Sequence, residues 1–305
     1  MAAMGWTATS SGKRADAMPA PAAAHCACAP GADPVKASGD FLSARSFEDL
    51  ARRVTDHTGI RLPASKKQMV EGRLRKRAHA LGMDLARYCE WLLDNDAQEF
   101  QHVVDAITTN KTDFYREPDH FAFLAKCAVP QFLKERRSLL KVWSAACSTG
   151  AEAYTAAMVL ADLAGANRFR FAVLGTDICT TVLAAAERAI YGADMAVAIP
   201  AEQQRRYLLR GRKAEEVRIV PELRRLVHFA HLNLMSGQYP VDHDVDIIFL
   251  RNVLIYFDKP TQMAVLRRLI QHLHPGGFLF LGHSESMIGT ELELREAGPA
   301  IFRWK

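Results

Sequence analysis

Hydrophobic positions along the chain follow two different periods. Between residues 43 and 110 they recur three and four apart. Phe47, Leu50, Ala51 and Val54 fall on one helical face, Ser46 with Asp49 reads as a capping pair, and Gly59 breaks the pattern. SKKQMVEGRLRKRAHALG then sets Met69, Leu74 and Leu81 among six basic residues, Lys66, Lys67, Arg73, Arg75, Lys76 and Arg77. LARYCEWLLDN and QEFQHVVDAITTN read as two more helices. This spacing predicts a small all-helical domain over residues 43–115.

From residue 141 the pattern changes. KVWSAA, FRFAVLGTD, VHFAHLNL, VDIIFLRN and FLFLGHSE are short apolar runs with helical patterns between several of them. Strands that are apolar on both faces and alternate with helices indicate a mostly parallel, doubly wound α/β sheet covered on both sides, here over residues 130–305. The run AIPAEQQRRYLLRGRKAEEVRIVPELRRLV is less regular and reads as an insertion at about 192–228. Residues 1–42 are rich in Ala, Pro, Gly and Ser and cannot bury enough surface to offset the entropy of ordering, so a disordered tail is expected.

Composition narrows the compartment and the partners. The chain has 305 residues and is 49% hydrophobic, enough for one large or two modest cores. It lacks a run of eighteen apolar residues and a basic start followed by an apolar stretch, so neither a membrane span nor a signal peptide is expected, which places it in the cytoplasm. The six cysteines are scattered and read as reduced thiols. Cys26 and Cys28 beside His25 are spaced too tightly for a zinc half-site and no second pair answers them, so no metal is expected. A net charge of +5 permits an acidic partner without demanding nucleic acid.

Ligands of open α/β sheets bind beyond the carboxyl ends of the strands. There the sequence places Ser144 to Glu152, Asp177, Asn233, Arg251 with Asn252, and His283 to Glu285. The first of these loops, AACSTGAEAYTAAM, lacks both the Gly-Lys-Ser/Thr cradle of a phosphate loop and the three glycines of a dinucleotide fold. S-adenosylmethionine (AdoMet) carries no phosphate. One close backbone approach, at Gly150, and two acids would suit it: Glu152 in the loop and Asp177 after the next strand, the latter toward a ribose diol. Asp177 could equally be a helix N-cap.

The wording of the motifs then resembles one family. TTNKTDFYREPDHF, VWSAACSTGAEAYTAAM, GTDI, IIFLRNVLIYFDK and LFLGHSESM, in that order over residues 43–305, are similar to the chemotaxis receptor glutamate methyltransferases, the CheR family. The resemblance implies an N-terminal helical domain, a Rossmann-like AdoMet-binding domain and a small β-subdomain inserted in it. It implies methyl transfer from AdoMet to glutamate side chains of chemoreceptors, leaving S-adenosylhomocysteine. By motif, the family's cofactor contacts fall on Asn110, Thr112, Arg116, Glu152, Asp177, Asn233, Leu234, Arg251 and Asn252, and its methyl-transfer tyrosine on Tyr256. The family usually reads STGEEPYS in the loop. Here Ala151, Ala153 and Thr155 replace the first Glu, the Pro and the final Ser, from which a small effect and a slightly looser first turn are expected.

A glutamate side chain is already a carboxylate at neutral pH, so displacement at a sulfonium needs alignment and exclusion of water rather than a general base. Arg116 and Tyr256 are the residues expected to orient that carboxylate, while His283 is assigned a supporting role. The basic run, notably Arg73, Arg75, Lys76 and Arg77, would complement the acidic helices of a receptor. The corresponding stretch of the insertion, LLRGRKAEEVRI, is short and holds only Gly211, which favours an enzyme with no tether to a receptor C-terminal pentapeptide. A monomer is the family expectation. Two rival readings are a methyltransferase acting on nucleic acid or a small molecule, and a non-catalytic AdoMet-sensing signalling module. No NPPY-type tetrapeptide supports the former, and the retained site residues oppose the latter.

Overall fold

Helix α1 (Ala44–Thr58) starts at Ser43, whose extended backbone lets its hydroxyl accept from the Ser46 amide at 2.9 Å. The cap thus lies three residues before the pair read at Ser46 and Asp49. Gly59 ends the helix in the left-handed region (φ 73°), its amide bonded to the Thr55 carbonyl, a conformation that suits glycine. The computed structural model describes residues 40–94, 97–135, 137–285, 292 and 294–305. Residues 1–39 of the expected tail, with Cys26 and Cys28, lie outside these, as do Ser286 and Met287 of the LFLGHSESM motif.

Helices α2 (Lys67–Ala80), α3 (Leu85–Asp94) and α4 (Ala97–Ile107) complete an all-helical unit. Its core includes Leu50, Val54, Leu74, Tyr88 and Val104, all fully buried. Next come α5 (Pro118–Phe123) and α6 (Val129–Lys134), joined by a wider π turn. Sequence reading left residues 116–129 of this interval between domains. Phe121, Leu124 and Phe132 pack into the core of the α/β unit, and the π turn disturbs the 3.6-residue spacing that would have revealed them.

The α/β unit then runs β1 (Leu139–Ala145), α7 (Ala151–Asn167), β2 (Arg170–Asp177), α8 (Thr180–Arg188), β3 (Ile190–Gly192), α9 (Ala193–Ala196), α10 (Ala201–Tyr207), β4 (Leu208–Arg210), β5 (Glu216–Ile219), α11 (Pro221–Arg224), β6 (Val227–His231), β7 (Val245–Leu250), α12 (Lys259–Ile270), β8 (Leu273–Leu281), β9 (Leu294–Gly298) and β10 (Ile301–Trp304). The main sheet has the order β6-β2-β1-β7-β8-β10-β9. Its first five strands are parallel, and β10 runs antiparallel to both β8 and β9. Successive side chains of a strand point to opposite faces. Val142 and Phe280 accordingly join one apolar layer, and Trp143 and Leu279 the other.

Strands β3, β5 and β4 form a separate antiparallel sheet. The inserted sheet therefore begins at Ile190 and ends at Ile219, because Val227 already pairs with Val173 in the main sheet. Among the described residues no helix is long and apolar enough to cross a membrane.

Candidate active site

Strand order reverses between β1 and β7, and in such sheets the crevice at the reversal receives the ligand. A cleft open to solvent lies there, its empty space about 1120 Å³ when the open mouth is included. Its wall takes in the turn after β1, Glu152 on α7, Asp177, Leu234, the turn after β7 and the 107–116 connector. Thr58, Ile60, Leu62 and Lys66 from the helical unit close the remaining side.

The turn after β1 is tight. Ala146 (φ 61°), Ser148 (φ 53°) and Gly150 (φ 84°) are all left-handed, at roughly 1–2 kcal/mol for each non-glycine residue. Asp177 holds the turn. It is 7% exposed and accepts from the amides of Ser148 (2.8 Å) and Cys179 (2.9 Å). Burial pushes its carboxyl up, and those amides pull it back. Cys179, not Asp177, is the N-cap of α8; the Asp177 side chain accepts from the Cys179 amide and faces the cavity.

Gly150 requires a correction. It is not on the cavity wall. A Cβ there would lie 2.9 Å from both the Ala186 Cβ and the Phe229 ring, so this glycine permits the turn and the packing of α7 rather than a ligand's approach. Ala146, Cys147 and Ser148 provide the surface that faces the cavity. Ala151 and Ala153 are fully buried. Cys147 is 2% exposed, and burial raises its thiol well above the usual range, as befits a packed residue.

Arg251 is the hub of the site. Its side chain is 1% exposed and lies 3.2 Å from both Glu117 and Glu152. It also donates to the Arg116 carbonyl and sits over the Phe121 ring. Glu152 accepts from the Ser144 hydroxyl at 2.6 Å. Burial raises the Glu152 carboxyl, and Arg251 opposes the rise. Arg116 is half-buried on the cavity wall, its guanidinium donating to the Lys111 carbonyl at 2.9 Å.

The turn after β7 is fixed by Glu285, 1% exposed, which accepts from the amides of Gly282 (2.8 Å), Asn252 (2.9 Å) and Ile255 (3.3 Å). Asn252 is left-handed (φ 59°). This turn presents Asn252, Val253 and Tyr256 to the cavity, with the Lys66 ammonium 5.9 Å from the Tyr256 ring. Asn110, Thr112, Asn233 and Leu234 line the same space. The Asn233 side chain is already engaged, donating to the His57 carbonyl (2.6 Å) and accepting from the Met235 amide (2.9 Å).

Beyond Lys66, the basic run lies apart from the cavity and is partly spoken for. Arg77 makes a paired contact with buried Glu99 (2.8 and 2.7 Å), which holds that carboxyl low. Arg73 donates to carbonyls at the end of α4, and Arg75 to the Asp40 carbonyl. Lys76 is exposed. Sequence reasoning assigned no role to Glu117 or Glu285. The only signal available was their place within REPDHF and GHSE, since a lone carboxylate that binds distant side chains, as Glu117 does, or backbone amides, as Glu285 does, has no periodicity of its own. Glu117, His120 and His283 also bring three ligand-type atoms within 4.8 Å of one another, but Arg251 already supplies a cation at the same carboxylate.

Comparison with known proteins agrees with this arrangement. Residues 110–299 match the family model described as CheR methyltransferase, SAM binding domain, and residues 45–108 match CheR methyltransferase, all-alpha domain. The chain is 38% identical over 274 residues to chemotaxis protein methyltransferase 2 of Pseudomonas aeruginosa, covering 88% of this chain and 96% of that one. It is 40% identical over 265 residues to the chemotaxis protein methyltransferase of Salmonella typhimurium (86% and 90%) and 39% identical over 265 residues to that of Escherichia coli (86% and 91%).

Proposed function

Because the chain belongs to the CheR methyltransferase family, with an AdoMet-binding domain, we propose that it esterifies glutamate side chains of chemoreceptors, giving glutamyl methyl esters and S-adenosylhomocysteine. The observation that carries this reading is one cavity lined both by the acids Glu152 and Asp177 and by Arg116 and Tyr256. The residues fit the cofactor. Glu152 is a mostly buried acid suited to an ammonium, Asp177 keeps acceptor capacity for a ribose diol, and Leu234 is apolar beside it. Asn110, Thr112, Arg251 and Asn252 line the same cavity. Arg251 works through Glu152, and the Asn233 contribution is left to its backbone.

AdoMet supplies a methyl group on a sulfonium. The nucleophile is ionised at neutral pH, so the protein's task is alignment and dehydration. Arg116 pairs with the incoming carboxylate, and Tyr256 orients it from the opposite turn. Receptor-associated methylation suits a cytoplasmic monomer acting without a pentapeptide tether, steered by Arg73 and Lys76 and the rest of the α2 basic face.

Purified protein with methyl-labelled AdoMet and chemoreceptor-containing membranes should yield label in the receptor as an alkali-labile ester. Alkali-stable label, or transfer to nucleic acid instead, would overturn the proposal. Tyr256→Phe should slow transfer about tenfold with AdoMet affinity nearly unchanged, checked by titration beside the rate assay.

A further inference from the structure

We infer that Glu117 is a positioning residue that sets the aim of Arg116. The inference rests on the reading above, in which Arg116 receives the substrate carboxylate. Glu117 is absent from the cavity wall, so it acts through its neighbours. Arg116 stands between two left-handed residues, Tyr115 (φ 53°) and Glu117 (φ 55°), a backbone arrangement that persists only where the surroundings enforce it.

Glu117 supplies much of that enforcement. Its Oε2 accepts from Arg251 Nε at 3.2 Å, and its Oε1 from Asn252 Nδ2 at 3.2 Å and the His283 amide at 3.4 Å. One side chain thereby ties the connector to the ends of β7 and β8. Arg251, gripped by this carboxylate, also donates to the Arg116 carbonyl. The Arg116 side chain is long, and its guanidinium is bonded to the Lys111 carbonyl, so its direction follows from its backbone.

A glutamine at 117 keeps the shape but not the bonding. Its amide group must face either the guanidinium donors of Arg251 or the donors at Asn252 and His283. The turn loosens, while Arg251 keeps Glu152 as its counterion and the cofactor side stays in place.

The test is a double-mutant cycle of Glu117→Gln and Arg116→Lys, reading kcat, receptor KM, AdoMet affinity and melting temperature. Glu117→Gln should lower kcat about tenfold to a hundredfold, with AdoMet affinity close to wild type. In the Arg116→Lys background it should cost less than about twofold more. Glu117→Asp keeps the charge, should retain part of the rate, and replaces Glu117→Gln in the cycle if that protein fails to fold. Full activity in either Glu117 variant overturns the inference. So do losses that multiply with that of Arg116→Lys, while leaving the reading of Arg116 intact. An Arg116→Lys enzyme with wild-type kcat and receptor KM overturns the reading of Arg116, and the inference with it.

Discussion

The turns after β1 and β7 are built alike and used differently. Each is left-handed at a non-glycine residue, Ser148 in the first and Asn252 in the second. Each is pinned by a buried carboxylate from the end of the neighbouring strand or the turn after it: Asp177 grips the Ser148 amide, and Glu285 grips the Asn252 amide. The difference is what lies on the acid's free side. Asp177 faces the cavity, whereas Glu285 spends its oxygens on three amides away from it. An acid after a strand is thus a latch by default. It becomes a binding group only where the fold leaves space beside it.

The largest effect should come from removing the acid that both holds its turn and faces the cavity. Asp177→Ala should weaken AdoMet binding about a hundredfold, since charge-assisted hydrogen bonds and the shape of the first turn go together. Calorimetric titration would check this, and near-normal affinity would erase the distinction between the two turns.

Next comes a pH effect beside the second turn. Burial and Arg251 press the His120 imidazole from 6.5 to about 4, with Glu117 opposing; His283 and the Pro299 carbonyl also face it. The unfolded chain then takes up a proton that the folded one refuses. Stability is kept above the unfolded value and lost as pH falls from 6.5 toward 4. Comparing denaturant midpoints at pH 7 and 4.5, His120→Asn should lose about 2 kcal/mol less than wild type does. An unchanged pH slope would mean that another group dominates there.

Glu285→Gln should lower kcat about tenfold, because one oxygen becomes a donor facing an amide and the Tyr256 turn shifts. AdoMet affinity should suffer less than in Asp177→Ala, and a reversed order would collapse the comparison. The smallest effect belongs far from both turns. Lys76→Glu should raise the receptor KM by about threefold at low salt, and the difference should fade at high salt with AdoMet affinity unaltered.

Much of this was legible in the chain. Two-sided apolar runs gave the parallel strands, and Gly59 gave the end of α1. The short strands β9 and β10 went unread: β9 is exposed or half-buried throughout, and β10 offers only the buried pair Ile301 and Phe302, too short a run to show a period. The insertion's far end overlapped the start of β6, because no glycine or apolar break separates Val227 from the polar stretch before it. At the site, Asp177 and Glu152 could be found from their places at strand ends. Glu117 and Glu285 could not: Glu117 answers the side chains of Arg251 and Asn252, far away in sequence, and Glu285 answers backbone amides, which every residue has. Gly150 was assigned to the wrong neighbour: sequence shows that a glycine is needed, not which atoms crowd it.

The helical unit supplies Thr58, Ile60, Leu62 and Lys66 to the cavity wall, and Asp105 on α4 holds the Thr180 amide and the Thr180 and Thr181 hydroxyls at the start of α8. Neither half owns the pocket. A chimera that took one half from a relative would inherit a wall shaped for a different partner. The two halves are thereby bound to drift together, each substitution along their shared border answered from across it.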